Sequence, residues 1–259
     1  MKMHKLNRFR AFGWHLLFSL LVATLSAAIV FFVWYPGLLA HASNVINIYF
    51  LLLIVDICLG PLITFIVFDV KKKEEKELKR DILIISALQI FALMYGLHAL
   101  YITRPVFVVY NEGRFDVVSA NEISDINLKK SRIDDFKELS RFGPQYVAAT
   151  LPENIKERND ILFDSLSGGD DISRLPQYYK KYYQVAEDVK KRSESLEILN
   201  KLNTSSHSII QSLQSKYTSK KINAGYLPLK GRVNDLTVIV DRSDGTILEM
   251  VDLNPWNPS

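Results

Sequence analysis

Three long apolar segments fill most of the first 102 residues and constrain the fold more than any other feature of the sequence. They extend over Phe12–Tyr35, Val45–Phe68 and Ile82–Ile102, and Asp56 is the only acidic residue inside them. Each segment has the roughly 20 residues that a helix needs to cross a hydrocarbon core of about 30 Å. The first also exceeds the roughly 7–15 apolar residues of a signal-peptide core. We therefore expect a membrane protein with three uncleaved transmembrane α-helices.

The Lys and Arg residues around these segments predict the orientation of the chain, because cytoplasmic loops carry an excess of them. The loop between the first two segments, residues 36–44, has none. The residues before the first segment and the 69–81 loop are rich in them, so we expect both regions in the cytoplasm. The residues after the third segment are then expected in the periplasm of a bacterium. The basic residues concerned are Lys2, Lys5, Arg8, Arg10, Lys71, Lys72, Lys73, Lys76, Lys79 and Arg80.

These expectations divide the chain into a membrane domain, residues 1–103, and a periplasmic domain, residues 104–259. The predicted location is a bacterial inner membrane, with the lipid bilayer as one partner. The basic flanks account for the net charge of +4, and the periplasmic domain is nearly neutral. Nucleic acid is therefore not an expected partner. The single cysteine of the sequence, Cys58, lies in the second segment, so no intrachain disulfide is expected.

The pattern of residues 104–259 predicts one small α+β domain with an antiparallel sheet and helices on one face of it. Alternating β-branched residues around the turns Asn111–Gly113 and Ser243–Gly245 indicate two antiparallel hairpins. A further strand is predicted within Tyr146–Pro152. Four helical regions are predicted between the hairpins, over Asn121–Leu139, Glu153–Leu166, Gln177–Leu202 and Ser205–Tyr217.

Known motifs for catalysis, cofactor binding or metal binding are absent from the sequence. It has no P-loop, dinucleotide-binding or nucleophile-elbow pattern. The five histidines are scattered without the spacing of metal ligands. The acidic pairs Asp134–Asp135 and Asp170–Asp171 are interpreted as solvated charges. We therefore expect a binding protein with no cofactor and no enzymatic activity.

Asp56, in the middle of the second apolar segment, is the strongest sign of function in the membrane domain. A charged residue near the centre of a bilayer is costly. Gly60 and Thr64 follow it at steps of four residues, so the three residues share one face of a helix. Pro61 has no N–H group, which predicts a kink and leaves the carbonyl of Ile57 without its helical partner.

Two interpretations of this polar stripe remain open. In the first, Asp56 stabilises the membrane domain by hydrogen bonding to Thr24 or Gln89 in a neighbouring helix. In the second, the stripe receives a polar group from a membrane helix of another protein, because acids inside membranes are usually functional. In the second interpretation, the partner-binding residues are Asp56, Gly60, Pro61 and Thr64.

A tyrosine-rich stretch, "RLPQYYKKYYQ", lies in the third predicted helical region. On a helix, Tyr178 would lie beside Tyr182, and Tyr179 beside Tyr183. These tyrosines either pack the helix against the sheet with their hydroxyls at the rim, or form a contact surface for a protein partner or lipid headgroups.

Three stretches of the sequence carry a resemblance to a known family. The layout resembles the TfpX/TfpZ-type accessory proteins of type IV pili along the whole chain. This resemblance implies an inner-membrane accessory factor that assists a type IV major pilin, and it supplies no catalytic residues. The stretches are "VDICLGPLITFIVFD" from Val55, "YITRPVFVVYNEGRFDVV" from Tyr101, and "GYLPLKGRVNDLTVIVD" from Gly225 together with "ILEMVDLNPW" from Ile247.

The resemblance and the polar stripe together favour a non-enzymatic pilin chaperone. A pilin subunit awaiting assembly has one apolar helix in the inner membrane and a periplasmic head, and we expect contacts with both. Two other functions are weighed against this one. An extracytoplasmic sensor would need a cytoplasmic signalling segment, which the sequence does not offer. A membrane enzyme that modifies pilin typically needs many more spans or a catalytic acidic motif near the membrane, for which "RPVFVVYNEGRFD" is a weak candidate.

Overall fold

The computed structural model of the chain describes residues 8–68 and 75–256. These residues fold as two compact units. One unit contains residues 8–33 and 45–102, and the other contains residues 34–44 and 103–256. The basic residues of the orientation signal that lie outside the described residues are Lys2, Lys5, Lys71, Lys72 and Lys73.

The first unit consists of three helices that are long and apolar enough to cross a membrane, which confirms that prediction from the sequence. They extend over Arg8–Trp34, Val45–Val67 and Lys76–Ile102, hereafter the first, second and third apolar helices. Their α-helical stretches, numbered in chain order with α2 in the second unit, are α1 (Arg8–Ala28), α3 (Val45–Leu53), α4 (Gly60–Val67) and α5 (Glu75–Ile102).

The first apolar helix ends in a π-helical turn, Ile29–Trp34, and the second is interrupted by one, Ile54–Leu59. The third begins well before Ile82, where the apolar run starts. The residues ahead of that run are mostly Lys, Glu, Leu and Arg, which are good helix formers and continue the helix beyond its apolar part.

The second unit is an α+β domain built around one sheet. Among the described residues, its strands are β1 (Pro105–Asn111), β2 (Arg114–Ser119), β3 (Gln145–Ala149), β4 (Tyr179–Lys181), β5 (Glu194–Ser195), β6 (Ala224–Lys230), β7 (Leu236–Asp241) and β8 (Ile247–Val251). Its α-helices are α2 (Leu39–Ala42), α6 (Asp125–Lys129), α7 (Ile155–Leu166), α8 (Ala186–Arg192), α9 (Leu196–Leu202) and α10 (His207–Ser219).

The sheet is mixed, so the expectation of an antiparallel sheet is wrong. Its strand order is β4-β3-β1-β2-β6-β7-β8, and β5 pairs with β6 beside this path. The neighbours β1–β3 and β2–β6 are parallel, whereas the other pairs are antiparallel. Parallel neighbours require a crossover connection, and helices lie in the chain between the two strands of each parallel pair.

Both predicted hairpins and the predicted third strand are confirmed. Asn111 pairs with Arg114, so Glu112 and Gly113 form a two-residue loop. Both loop residues have positive φ, 46° and 97°, as a type I′ turn requires. Gly245, in the turn between β7 and β8, has a φ of 79°. Strand β3 forms where the sequence predicts it.

Side chains of the sheet alternate between two buried faces. In β1, Val108 and Tyr110 join one core, whereas Phe107 and Val109 join another. Helices α2 and α8 contribute to the first core. Helix α6 covers the second face at β1 and β3, and α9 and α10 cover it at β6 and β7. Helices thus lie on both faces, and the expectation that they lie on one face is wrong.

Two of the four predicted helical regions are confirmed, as α7 and α10. The region Asn121–Leu139 contains only the short α6 and single 3₁₀ turns, because the Ser131 hydroxyl accepts a hydrogen bond from the Ile133 N–H and forms a local turn. The region Gln177–Leu202 is not one helix: it contains β4, which pairs with the edge of β3. Ser193 is extended between α8 and α9.

The segment Trp34–Asn44 groups with the second unit. The sequence predicts residues 34 and 35 in the first span and residues 36–44 in a loop of the membrane domain. Leu39 and Ala42 are 2% and 0% exposed and belong to the core of the sheet. The Ala42 carbonyl accepts hydrogen bonds from the backbone N–H groups of Val233 at 2.9 Å and Asn234 at 3.2 Å. The second unit is therefore built from two separate parts of the chain.

Candidate functional site

The polar stripe of the second apolar helix begins inside its π-helical turn. The C-terminal end of this turn is fixed by the N–H of Gly60, which donates to the carbonyl of Val55, five residues earlier. A regular α-helix would pair residues four apart. The π turn therefore shifts the hydrogen-bond register by one residue at the point where the proline follows.

Pro61 and the shifted register together leave the carbonyl of Asp56 without a donor from its own helix. In the π register residue 61 would donate to this carbonyl, but proline has no N–H. The Asp56 carbonyl accepts instead from Nε2 of Gln89, in the third apolar helix, at 3.1 Å. The sequence predicted that the carbonyl of Ile57 would lose its partner. The outside donor goes to Asp56 because the register is π and not α.

Gly60 lets the Gln89 side chain approach the second apolar helix. A Cβ atom at Gly60 would lie 1.8 Å from Gln89 Nε2 and 2.5 Å from its Oε1. Non-bonded atoms do not approach so closely, so any side chain at this position must displace Gln89. The absence of a side chain at residue 60 is therefore a requirement of the hydrogen bond.

His15 joins the stripe from the first apolar helix, and reasoning from the sequence did not select it. Its Nδ1 lies 2.6 Å from the hydroxyl of Thr64, which is 2% exposed. The His15 ring also interacts with the Gln89 side chain. The signal in the sequence was a histidine within an otherwise apolar run, which is as unusual as Asp56.

Asp56 lines a cleft of about 60 Å³ within the first unit. The Asp56 side chain is 9% exposed. Polar side chains from all three apolar helices line the cleft, which is otherwise apolar; besides Asp56 they are His15, Ser19, Ser86 and Gln89.

Thr24 and Gln89 are the two partners that the sequence proposes for Asp56, and the structure shows which atoms of each form hydrogen bonds. Gln89 contacts Asp56, but it bonds the backbone carbonyl and not the carboxyl group. Thr24 is exposed, and its hydroxyl donates to the carbonyl of Leu20 in its own helix. Asp56, Gly60, Pro61 and Thr64 are all buried. Among the described residues no hydrogen bond to the Asp56 carboxyl group is found, and the role of the stripe in partner binding stays a prediction.

The four tyrosines predicted as i, i+4 pairs on a helix do not form such pairs, because β4 replaces the helix. Tyr179 is buried against Phe107 and Phe136. The Tyr182 hydroxyl donates to the Gly245 carbonyl at 2.7 Å. Both side chains therefore belong to the core of the domain, in line with the packing interpretation.

The remaining two tyrosines lie nearer the surface. Tyr178 donates to Oε1 of Glu157, in α7, at 2.7 Å, and burial together with this carboxylate raises the pKa of Tyr178 to about 12. Tyr183 is 70% exposed. Of the predicted tyrosine surface, Tyr183 is the residue that remains open to a partner.

Within the part of the chain that the structure describes, no group of three or more His, Cys, Asp or Glu side chains is arranged to hold a metal ion. Cys58 is exposed on the second apolar helix. The expectation that the protein has no cofactor and no enzymatic activity stays a prediction.

Comparison with known proteins assigns a family. Residues 4–37 match the family described as "Fimbrial assembly protein FimB". A fimbrial assembly protein of serogroup I from Dichelobacter nodosus is 31% identical over 233 residues, which is 89% of this chain and 90% of that protein. The chain belongs to the fimbrial assembly protein family.

Other members of the family from the same organism are also similar. The serogroup E1 protein is 29% identical over 89% of this chain and 90% of its own length. The protein of serogroups C1 and C2 is 38% identical over 43% of this chain and 84% of its own length. No solved structure matches the chain. The family agrees with the assembly role that the resemblance implied, and the narrower TfpX/TfpZ assignment stays a prediction.

Proposed function

We propose that the chain is a non-enzymatic accessory protein of the bacterial inner membrane that binds a type IV pilin subunit before or during pilus assembly. In this proposal the polar stripe of Asp56, Gly60, Pro61 and Thr64 contacts the apolar helix of the pilin. The second unit engages the pilin head in the periplasm, where Tyr183 is a candidate contact.

Membership of the fimbrial assembly protein family supports the role in pilus biogenesis. The three apolar helices support location in a membrane. Residues 34–44 and 103–256 fold into one unit, which supports their lying on the same side of that membrane. The basic residues Lys76, Lys79 and Arg80, at the other end of the third apolar helix, support the opposite side as cytoplasmic.

The observation that carries the proposal is the buried Asp56 carboxyl group at an open cleft. Gln89 and His15 hold other atoms of the stripe, at the Asp56 carbonyl and the Thr64 hydroxyl. An acid within a membrane is rarely retained without pairing or function. A group that the protein's own helices leave unused is suited to a partner helix.

The substitution Asp56→Leu tests the proposal. We expect it to reduce the amount of pilin that co-purifies with the protein, and the number of surface pili, without changing the protein's own abundance. Thr24→Val is the matched control, because it removes a polar group whose bond is confined to its own helix. The intact mass of pilin should be the same with and without the protein if its role is binding.

Two results would contradict the proposal. Loss of the protein itself on Asp56→Leu substitution would assign the acid to stability and not to binding. A change in pilin mass that depends on the protein would indicate an enzyme.

A further inference from the structure

Among the described residues, two hydrogen-bond acceptors of the Asp56 cleft have no donor at normal hydrogen-bond geometry, although the His15 ring interacts with the Gln89 side chain. No hydrogen bond to the Asp56 carboxyl group is found among the described residues, although its side chain is nine-tenths buried. Gln89 Oε1 is buried and has no hydrogen bond of normal geometry. Both residues line the same cleft.

The π turn explains why Gln89 is left with an acceptor, and not a donor, without a partner. The side-chain amide of Gln89 has one donating and one accepting end. Its donating end is bound to the Asp56 carbonyl, which lacks a donor because of Pro61. The Oε1 acceptor is therefore left without a donor of normal geometry, in the cleft that Asp56 also lines. Two such acceptors in one cleft make it selective for a group that donates hydrogen bonds.

We propose that the cleft binds a hydrogen-bond donor, a hydroxyl or an amine, carried by a side chain of the pilin's membrane helix. The inference rests on the proposed function for the identity of the partner, and it adds the chemistry by which that partner is recognised. A partner helix that offers only apolar side chains, or only acceptors, leaves both groups unpaired.

Burial without a partner makes these acceptors a source of specificity. An unsatisfied buried polar group destabilises the protein, and lipid offers no replacement for the missing donor. Between membrane helices the hydrophobic effect gives no driving force, so packing and hydrogen bonds of this kind determine which helices associate. A helix with a donor at the right depth recovers this cost, and one without it does not.

A double-mutant cycle between the two proteins tests the inference. Each hydroxyl- or amine-bearing residue of the pilin helix is replaced in turn by Ala, and co-purification is measured with the full-length protein and with its Asp56→Leu variant. We expect one pilin position whose replacement reduces co-purification at least tenfold with the unmodified protein. The same replacement should have a much smaller effect with Asp56→Leu, because only the Gln89 acceptor remains.

Two further variants guard the test against misfolding. Asp56→Asn keeps the shape and one acceptor, so it should retain part of the binding and most of the coupling. Gln89→Met removes the second acceptor and should weaken binding at the same pilin position. Immunoblots of each variant report its abundance.

The outcomes separate this inference from the proposed function. Pilin that binds the unmodified protein but shows no coupling between any donor position and Asp56 would overturn the inference and leave the proposed function standing. Failure of pilin to co-purify with the unmodified protein would overturn both.

Discussion

At the scale of single residues, the polar stripe shows which features can be predicted from the sequence and which cannot. Asp56, Gly60 and Pro61 stand out in an apolar run, and the structure buries all three. Their bonding was not predictable, because a π turn shifts the register and its presence depends on packing against the third helix. The sequence predicted Gln89 as a partner of Asp56, but Gln89 bonds the backbone carbonyl of Asp56 and not its carboxyl group.

Replacing Gly60 with Ala tests this arrangement. The added Cβ would displace the end of the Gln89 side chain and break its bond to the Asp56 carbonyl, so we expect a loss of stability of about 1–3 kcal/mol, as an unsatisfied buried carbonyl gives elsewhere. Gly13→Ala is the matched control, since nothing lies within 4 Å of a Cβ there. Thermal unfolding of the full chain in detergent measures both changes.

A second substitution shows whether the collision is the cause. Gln89→Ala removes the side chain that Gly60→Ala displaces. The double variant should therefore be no less stable than Gln89→Ala alone. Additive losses would contradict the proposed contact.

At the scale of elements, the sequence predicts the local turns, but it does not predict the pairing of strands that are distant in the chain. The hairpins follow from residues such as Gly113 and Gly245 that adopt positive φ, which is a property of a few neighbouring residues. Strand β4 forms because Tyr179–Lys181 meets the edge of β3 some thirty positions earlier in the chain. No local pattern distinguishes it from a helix, so the sequence predicted a helix.

The contact between α10 and the edge strand β8 predicts a pH dependence. Burial raises the pKa of Glu249, but hydrogen bonds from Lys216 and Tyr217 outweigh it, so the pKa lies below its ordinary value of 4.5. Lys216 Nζ lies 2.7 Å and 2.8 Å from the two carboxylate oxygens. A lowered pKa contributes stability above the unfolded-state value, and this contribution is lost as the pH falls through the folded-state value.

The substitution Glu249→Gln should accordingly lower stability at neutral pH by up to about 1 kcal/mol, since the pair is partly exposed. Thermal unfolding of the full chain at several pH values measures the difference, which should shrink as the pH falls below 4.5. Glu197→Gln, on exposed α9 surface, is the control and should show little effect. An equal deficit at every pH would contradict the electrostatic origin.

At the scale of the whole molecule, the sheet domain is completed by a short segment that precedes it by some sixty residues. The order of apolar runs predicts that residues 36–44 connect two membrane helices, and it gives no sign that Leu39 and Ala42 fill a core. The partners of this segment, at Val233 and Asn234, lie near the other end of the chain. Contacts of such separation leave no trace in local composition.

Leu39→Ala tests this role. Removing a buried leucine side chain costs about 2–5 kcal/mol, so we expect a lower unfolding temperature for the sheet domain. The control is Leu162→Ala, because Leu162 is 54% exposed in α7. Protease digestion of the domain in membranes provides an independent readout. Similar behaviour of the two variants would mean that the segment does not contribute to the core.

The central claim is that a pilin helix docks at the Asp56 cleft, and crosslinking from the cleft tests it most directly. A photo-crosslinking amino acid is placed in living cells at Ser86, which lines the cleft, or at Leu88, which is 65% exposed on the opposite face of the same helix. The account predicts a pilin adduct from position 86 and little or none from position 88. Equal adducts from both positions, or none from position 86, would contradict it.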